Sequence, residues 1–163
     1  MVRQTGRGET TKARVETSTI IVVDDEPTIL NRCQQILRLG GYDVLPACDA
    51  QQALRLFQNS KTTIRLALLD VIMPGTDGLE LAKQLQSTSP NTRVVLMSGY
   101  GSTEIKKLGR QNPYRIIWKP FQAESLLRMI GNVLETSPVS FGTAIPKSQP
   151  RWSCSRSERD APR

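Results

Sequence analysis

The sequence predicts a doubly wound α/β domain built on a parallel five-stranded sheet, on three observations. Short apolar runs rich in β-branched residues recur between positions 19 and 134 of the 163-residue chain. Each run is followed by a segment with apolar residues at helical spacing. The polar residues best suited to chemistry stand directly after the apolar runs. Strict alternation of this kind implies parallel strands with helices on both faces of the sheet. In such sheets ligands bind at the carboxyl ends of the strands.

The elements follow in order. Residues 19–23 (TIIVV) read as a fully buried first strand. Pro27 suits the first turn of a helix, and Ile29, Leu30, Cys33, Ile36 and Leu37 then follow at helical spacing until Gly40-Gly41 stops it. Residues 42–47 form the second strand, and Pro46 within it predicts an edge position. Residues 50–58 form the second helix, with Ala53, Leu54 and Phe57 on one face. Residues 64–69 (IRLALL) are the third strand, closed by Asp70. The loop VIMPGTDG leads to a third helix with Leu81, Ala82 and Leu85 as its stripe. Residues 94–97 form the fourth strand. Residues 98–113 are polar and glycine-dotted, so the helix there is short, with only Ile105 and Leu108 to anchor it. Residues 114–118 are the fifth strand. Residues 123–134 are the last helix, with Leu126, Leu127, Ile130, Val133 and Leu134 facing in.

The ends differ in character. Residues 1–18 hold almost no large apolar side chains and read as a disordered leader; residues 136–163, rich in Pro and Ser, read as a disordered tail that carries no output domain. Trp152 in that tail reads as an incidental exposed aromatic. The net charge of +7 is spread thinly, with +2 in residues 1–18, +3 in 19–134 and +2 in 135–163. No clustered basic stripe results, so direct nucleic-acid binding is not expected. Three widely spaced cysteines, with no C-x-x-C pair, argue against a disulfide framework and a zinc site and fit a reducing cytoplasm. No apolar run is long enough to span a membrane. Histidine is absent, which excludes His-based general bases, Ser-His-Asp triads and phosphohistidine chemistry within the chain.

The strand ends carry Asp24-Asp25-Glu26, Asp70, Ser98 and Lys119-Pro120. Singly, each has a bland reading. Acidic residues favour a helix N-terminus, Ser98-Gly99 suits a turn, and Lys119 suits solvent. Four such coincidences at four strand ends favour a shared site. Crowded carboxylates repel one another and call for a cation. A set of few oxygen ligands suits Mg²⁺. A carboxylate can also attack phosphorus to give an acyl phosphate. An ammonium (Lys119) and a hydroxyl (Ser98) neutralise charge on the transferring phosphoryl group.

With these residues in view, the chain from about 19 to 134 resembles the receiver domain of two-component response regulators. The carrying segments are IIVVDDEP at 20–27, LALLDVIMPGTDGLEL at 66–81, VVLMSGY at 94–100 and WKPF at 118–121. The resemblance implies a flavodoxin-like (βα)5 domain over residues 19–135, with strand order 2-1-3-4-5. It implies that Asp70 is the phosphoacceptor and that Mg²⁺ is held by Asp25, Asp70 and the backbone carbonyl of Ile72, with Asp24 acting through water. Lys119 would pair with Asp70 and then with the phosphoryl group, Ser98 would bond a phosphoryl oxygen, and Pro120 would follow a cis bond. The implied donor is a phosphohistidine on a histidine kinase or a histidine phosphotransfer protein. Output would pass by contact to an unidentified downstream protein, from a cytoplasmic monomer or a weak phosphorylation-dependent dimer. The chain would not be an enzyme beyond its own phosphorylation and dephosphorylation at Asp70.

The chain departs from the family's pattern at three places. Ile116 stands where an aromatic switch residue is frequent, which puts the usual aromatic readout with Ser98 in question. Ile72, two residues after Asp70, cannot position an attacking water, so slow self-dephosphorylation is expected. The fourth helix is thin in apolar residues. A phosphorylation-independent binding scaffold on the same fold is the alternative; the complete Asp25, Asp70, Ser98 and Lys119 set argues against it. A doubly wound phosphatase would commonly need a second Asp where Ile72 stands. A nucleotide-binding reading lacks a glycine-rich loop after the first strand, where Asp24-Asp25-Glu26 would repel phosphate.

Overall fold

The computed structural model describes residues 17–99, 103–108 and 113–135. Its elements run β1 (Thr19–Val23), α1 (Pro27–Leu39), β2 (Asp43–Ala47), α2 (Ala50–Asn59), β3 (Ile64–Asp70), α3 (Gly78–Thr88), β4 (Arg93–Gly99), α4 (Thr103–Leu108), β5 (Arg115–Lys119) and α5 (Ala123–Glu135). The strands form one parallel sheet in the order β2-β1-β3-β4-β5. The expected leader and tail lie outside the described residues, apart from Thr17 and Ser18.

Side chains alternate across the strands with period two, and this builds two cores. Ile21, Val23, Ala67, Leu69 and Leu96 pack with Ala53 of α2 and Leu81, Ala82 and Leu85 of α3. Ile20, Val22, Leu66, Leu68, Val95 and Met97 pack on the other face with Cys33 and Leu37 of α1 and Leu126 and Ile130 of α5. Burying one such aliphatic side chain contributes about 1.5–3 kcal/mol. Both cores therefore give the central strands a rigid seat, and that seat carries the strand ends. The inward faces of α1, α2 and α5 follow the expected spacing, although Ile29, Leu54, Phe57, Leu127 and Val133 are only partly buried. Ile105 of α4 packs against the first core, also partly buried.

Local sequence sets the boundaries. Glu26 precedes α1, whose first residue is Pro27. Gly41 follows that helix with φ +87, a conformation that side-chain-bearing residues rarely adopt. Asp49 caps α2 through the Gln52 N–H at 2.6 Å, and Asp77 caps α3 through the Glu80 N–H at 2.8 Å. Pro46 lies in β2, an edge strand, so its missing N–H leaves no gap in an interior ladder.

Two boundaries differ from the sequence-based expectation in a way that matters. β4 continues through Ser98 and Gly99, and β5 continues through Lys119. The reason is pairing: Ser98 lies opposite Trp118 and Gly99 opposite Lys119 in the parallel ladder. Ser98 and Lys119 are thus strand residues with fixed register rather than residues of the loops that follow.

Candidate functional site

Asp24 and Asp25 follow β1, Asp70 ends β3, and Lys119 ends β5. The topology sets β1 and β3 side by side at the middle of the sheet, which is why three carboxylates distant in sequence meet. Oxygens of Asp24, Asp25 and Asp70 all lie within 4.8 Å of one another. Asp24 is fully buried and Asp70 nearly so, whereas Asp25 is exposed.

Lys119 reaches across from β5 and bridges two of them. Its Nζ lies 2.7 Å from Asp24 Oδ2 and 3.1 Å from Asp70 Oδ1. The shorter contact is to Asp24, a pairing that the sequence reading did not assign. Asp24 Oδ1 also accepts the Glu26 N–H at 2.9 Å. Both oxygens of the buried carboxylate are therefore engaged, as a buried anion requires. The Lys119–Pro120 peptide bond is cis.

The electrostatics are lopsided: one ammonium faces three carboxylates. Burial is the largest influence on Asp70 and pushes its carboxyl above the usual value of 3.8; Lys119 pulls it down, while Asp24 and Asp25 push it further up. Burial alone would lower the Lys119 value, but hydrogen bonding and attraction from Asp24, then Asp70, outweigh it and hold the ammonium above the usual 10.5. The site has a surplus of negative charge and of unshared oxygen lone pairs. That donor set suits a small hard cation such as Mg²⁺.

The remaining expected residues lie on β4, on β5 and in the segment after β3. Ser98 is fully buried, and its hydroxyl lies 3.4 Å from the Gly99 carbonyl. It stands one position past Met97, the register partner of Asp70. Ile72, two residues after Asp70, is 58% exposed. Ile116 is half-buried against the first core and pairs with Leu96, away from the carboxylates.

A further residue proves essential to the geometry. Gly78, the first residue of α3, sits against the backbone of Asp70: a Cβ there would lie 1.9 Å from the Asp70 carbonyl oxygen and 2.8 Å from its carbonyl carbon. Its N–H is bonded to the Val71 carbonyl at 3.0 Å. The glycine lets the helix press against the strand end that carries Asp70. The only sequence signal for this was glycine at the start of a helix, directly after the Asp77 cap.

One consequence concerns Lys119. Replacing it with alanine leaves the buried Asp24 charge without its ammonium. Because Lys119 is itself 19% exposed, the expected loss is discounted to about 2 kcal/mol. Urea unfolding of the metal-free protein checks it. The folded value of Lys119 is raised, so its contribution is fully present below pH 10.5 and fades as the pH climbs through the folded value. The gap between wild type and variant should stay constant at neutral pH and close in alkali.

Comparison with known proteins decides what family this geometry serves. Residues 20–131 match the family model described as the response regulator receiver domain. The chain belongs to the response regulator receiver family. Receiver domains of this family act in two-component signalling and interact with histidine kinases and downstream effectors. The chain is 33% identical over 119 residues to the transcriptional regulatory protein CpxR of Klebsiella pneumoniae, covering 72% of this chain and 50% of that one. It is 30% identical over 117 residues to a cyclic di-GMP phosphodiesterase of Thermotoga maritima, covering 71% of this chain but 31% of that one. It is 30% identical over 131 residues to the alkaline phosphatase synthesis transcriptional regulatory protein PhoP of Bacillus subtilis, covering 80% and 52%. The chain thus spans about half or less of the length of these relatives. Among solved structures, a CheY-like receiver domain protein from Methanospirillum hungatei superposes with a TM-score of 0.66 at 30% identity, covering 73% of this chain and 94% of that one. A receiver domain from Clostridium thermocellum gives a TM-score of 0.65 at 27% identity, covering 72% and 94%. These neighbours share the flavodoxin-like order found here. No helix among the described residues is long and apolar enough to cross a membrane.

Proposed function

We propose that this receiver domain takes a phosphoryl group from a phosphohistidine of a partner protein onto Asp70 and signals by protein contact in the cytoplasm. The observation that carries this reading is the clustering of Asp24, Asp25 and Asp70 with Lys119 bridging two of them.

An Asp70 carboxylate oxygen attacks the phosphorus atom. The new O–P bond forms as the N–P bond to the donor imidazole breaks, and the leaving nitrogen takes up a proton from solvent. Lys119, already 3.1 Å from Asp70, offers its positive charge to the phosphoryl oxygens. Ser98, on the adjacent strand end, is the hydroxyl that would bond a phosphoryl oxygen, and Ile116 takes the position of the switch residue. Asp25, Asp70 and the Ile72 carbonyl would hold Mg²⁺, with Asp24 acting through water. When bound, the ion neutralises negative charge on the transferring group. The family resemblance and the surplus of carboxylates support this assignment.

Incubation with Mg²⁺ and a small acyl phosphate donor tests the reading, with intact mass as the readout. One added phosphoryl group per chain is expected, and none when the metal is chelated. No uptake from a donor that labels a control receiver contradicts the proposal and leaves phosphorylation-independent binding as the function.

Ile72 sets a second expectation. Its exposed aliphatic side chain, two residues after Asp70, offers no group to orient a water molecule. The aspartyl phosphate should therefore persist for minutes or longer after the donor is removed, and Ile72→Asn should shorten that lifetime several-fold. A half-life of seconds in the wild type contradicts this.

A further inference from the structure

Arg32 lies on α1, the helix that begins two residues after Asp25. Its Nη2 donates to the carbonyl oxygen of Phe121 at 3.2 Å, across 89 residues of sequence. Phe121 is the second residue after Lys119 and lies in the turn between β5 and α5. The two ends of this hydrogen bond thus belong to the segments that carry the opposite charges of the site. One leads back along α1 to Asp24 and Asp25; the other leads to Lys119.

The sheet explains why such a tie matters. β5 is an edge strand, so its ladder pairs it with β4 on one side only. Within that ladder Lys119 lies opposite Gly99, and the turn after it is seated by the buried ring of Phe121, which packs in the core shared with α1. The Arg32 contact fixes the main chain of that turn directly to α1. An ammonium that bridges two carboxylates at 2.7 and 3.1 Å depends on such fixed geometry.

Resting on the phosphoryl-acceptor reading, we propose that Arg32 is a positioning residue: it sets the placement of Lys119 against the carboxylate cluster by anchoring the Phe121 carbonyl to α1. It touches neither the phosphoryl group nor the donor. It is a residue of α1 acting through the turn at the opposite end of the sheet order.

The test measures phosphorylation rates with the small acyl phosphate donor in the full chain, over a range of donor concentrations. Arg32→Ala should lower the saturating rate about three- to tenfold, the scale of one lost hydrogen bond, and leave the half-saturating donor concentration unchanged. Arg32→Lys should recover part of the rate, since it restores a donor of the same charge. In a Lys119→Ala background, followed over hours, removing Arg32 should add no further slowing, because its effect runs through Lys119. An Arg32→Ala chain reacting at the wild-type rate overturns the proposal. So does an equal slowing with and without Lys119, which would mark a general structural role. A wild-type chain that takes up no phosphoryl group overturns the acceptor reading itself, and Arg32's assigned role with it.

Discussion

Asp70→Asn is expected to abolish phosphoryl uptake and, at the same time, to make the metal-free protein more stable. The first effect is total, because an amide is not a nucleophile toward phosphorus and the neighbouring Asp24 is enclosed and engaged by Lys119 and the Glu26 N–H. The second effect follows from the balance of forces on Asp70. Removing its charge loses the 3.1 Å contact with Lys119, but it also ends the burial of an anion and its repulsion with Asp24 and Asp25. The direction of the pKa shift shows which side is larger. Asp70 is held above its usual value, so the folded state disfavours its charged form on balance. Its contribution to stability is therefore fully present below pH 3.8 and is lost as the pH rises through the folded value. At neutral pH the neutral isostere lacks that penalty, and Lys119 keeps its 2.7 Å partner. Urea midpoints of the two proteins in chelator check the sign. A variant less stable than the wild type would show that the Lys119 contact outweighs the repulsion.

Gly78→Ala is expected to destabilise the domain by about 3 kcal/mol and to impair phosphorylation even where the chain still folds. The new methyl carbon would lie 1.9 Å from the Asp70 carbonyl oxygen and 3.0 Å from the Val71 Cα. All of the obstructing atoms are backbone, so no rotamer change relieves the clash. Either α3 backs away from β3, which opens the core around Leu79, Leu81 and Leu85, or the end of β3 moves and carries Asp70 with it. A shifted urea midpoint with an unchanged slope would register the first. A slower phosphoryl uptake in the folded fraction would register the second. Wild-type stability together with wild-type uptake would show that the close approach of α3 to Asp70 is not needed.

Much of this was legible in the sequence because it depends on local pattern. TIIVV and IRLALL are short apolar runs consistent with buried strands, which puts the residues that follow them at the sheet's carboxyl edge. Asp24, Asp25, Asp70 and Lys119 are legible in this way from the sequence alone. The features that escaped depend on register and on close approach between segments. Nothing in residues 94–97 announces that pairing with β5 extends the strand through Gly99. Nothing in the WKPF segment says that Lys119 lies nearer Asp24 than Asp70. Arg32 carried no signal, since an arginine on the outer side of an amphipathic helix is what solvent alone would select. Gly78 was visible as a residue of the segment that follows Asp70, but its contact with the Asp70 backbone is a property of how α3 packs.

The central claim is that Asp70, among the clustered carboxylates, is the residue that accepts phosphorus. It is tested most directly by locating the acyl phosphate. The wild-type chain is phosphorylated in Mg²⁺, the acyl phosphate is reduced with borohydride, and the peptides are sequenced by mass spectrometry. Reduction should convert residue 70 alone to homoserine, with Asp24 and Asp25 unmodified. Conversion at another residue, or no conversion in a chain shown to be folded, contradicts the account.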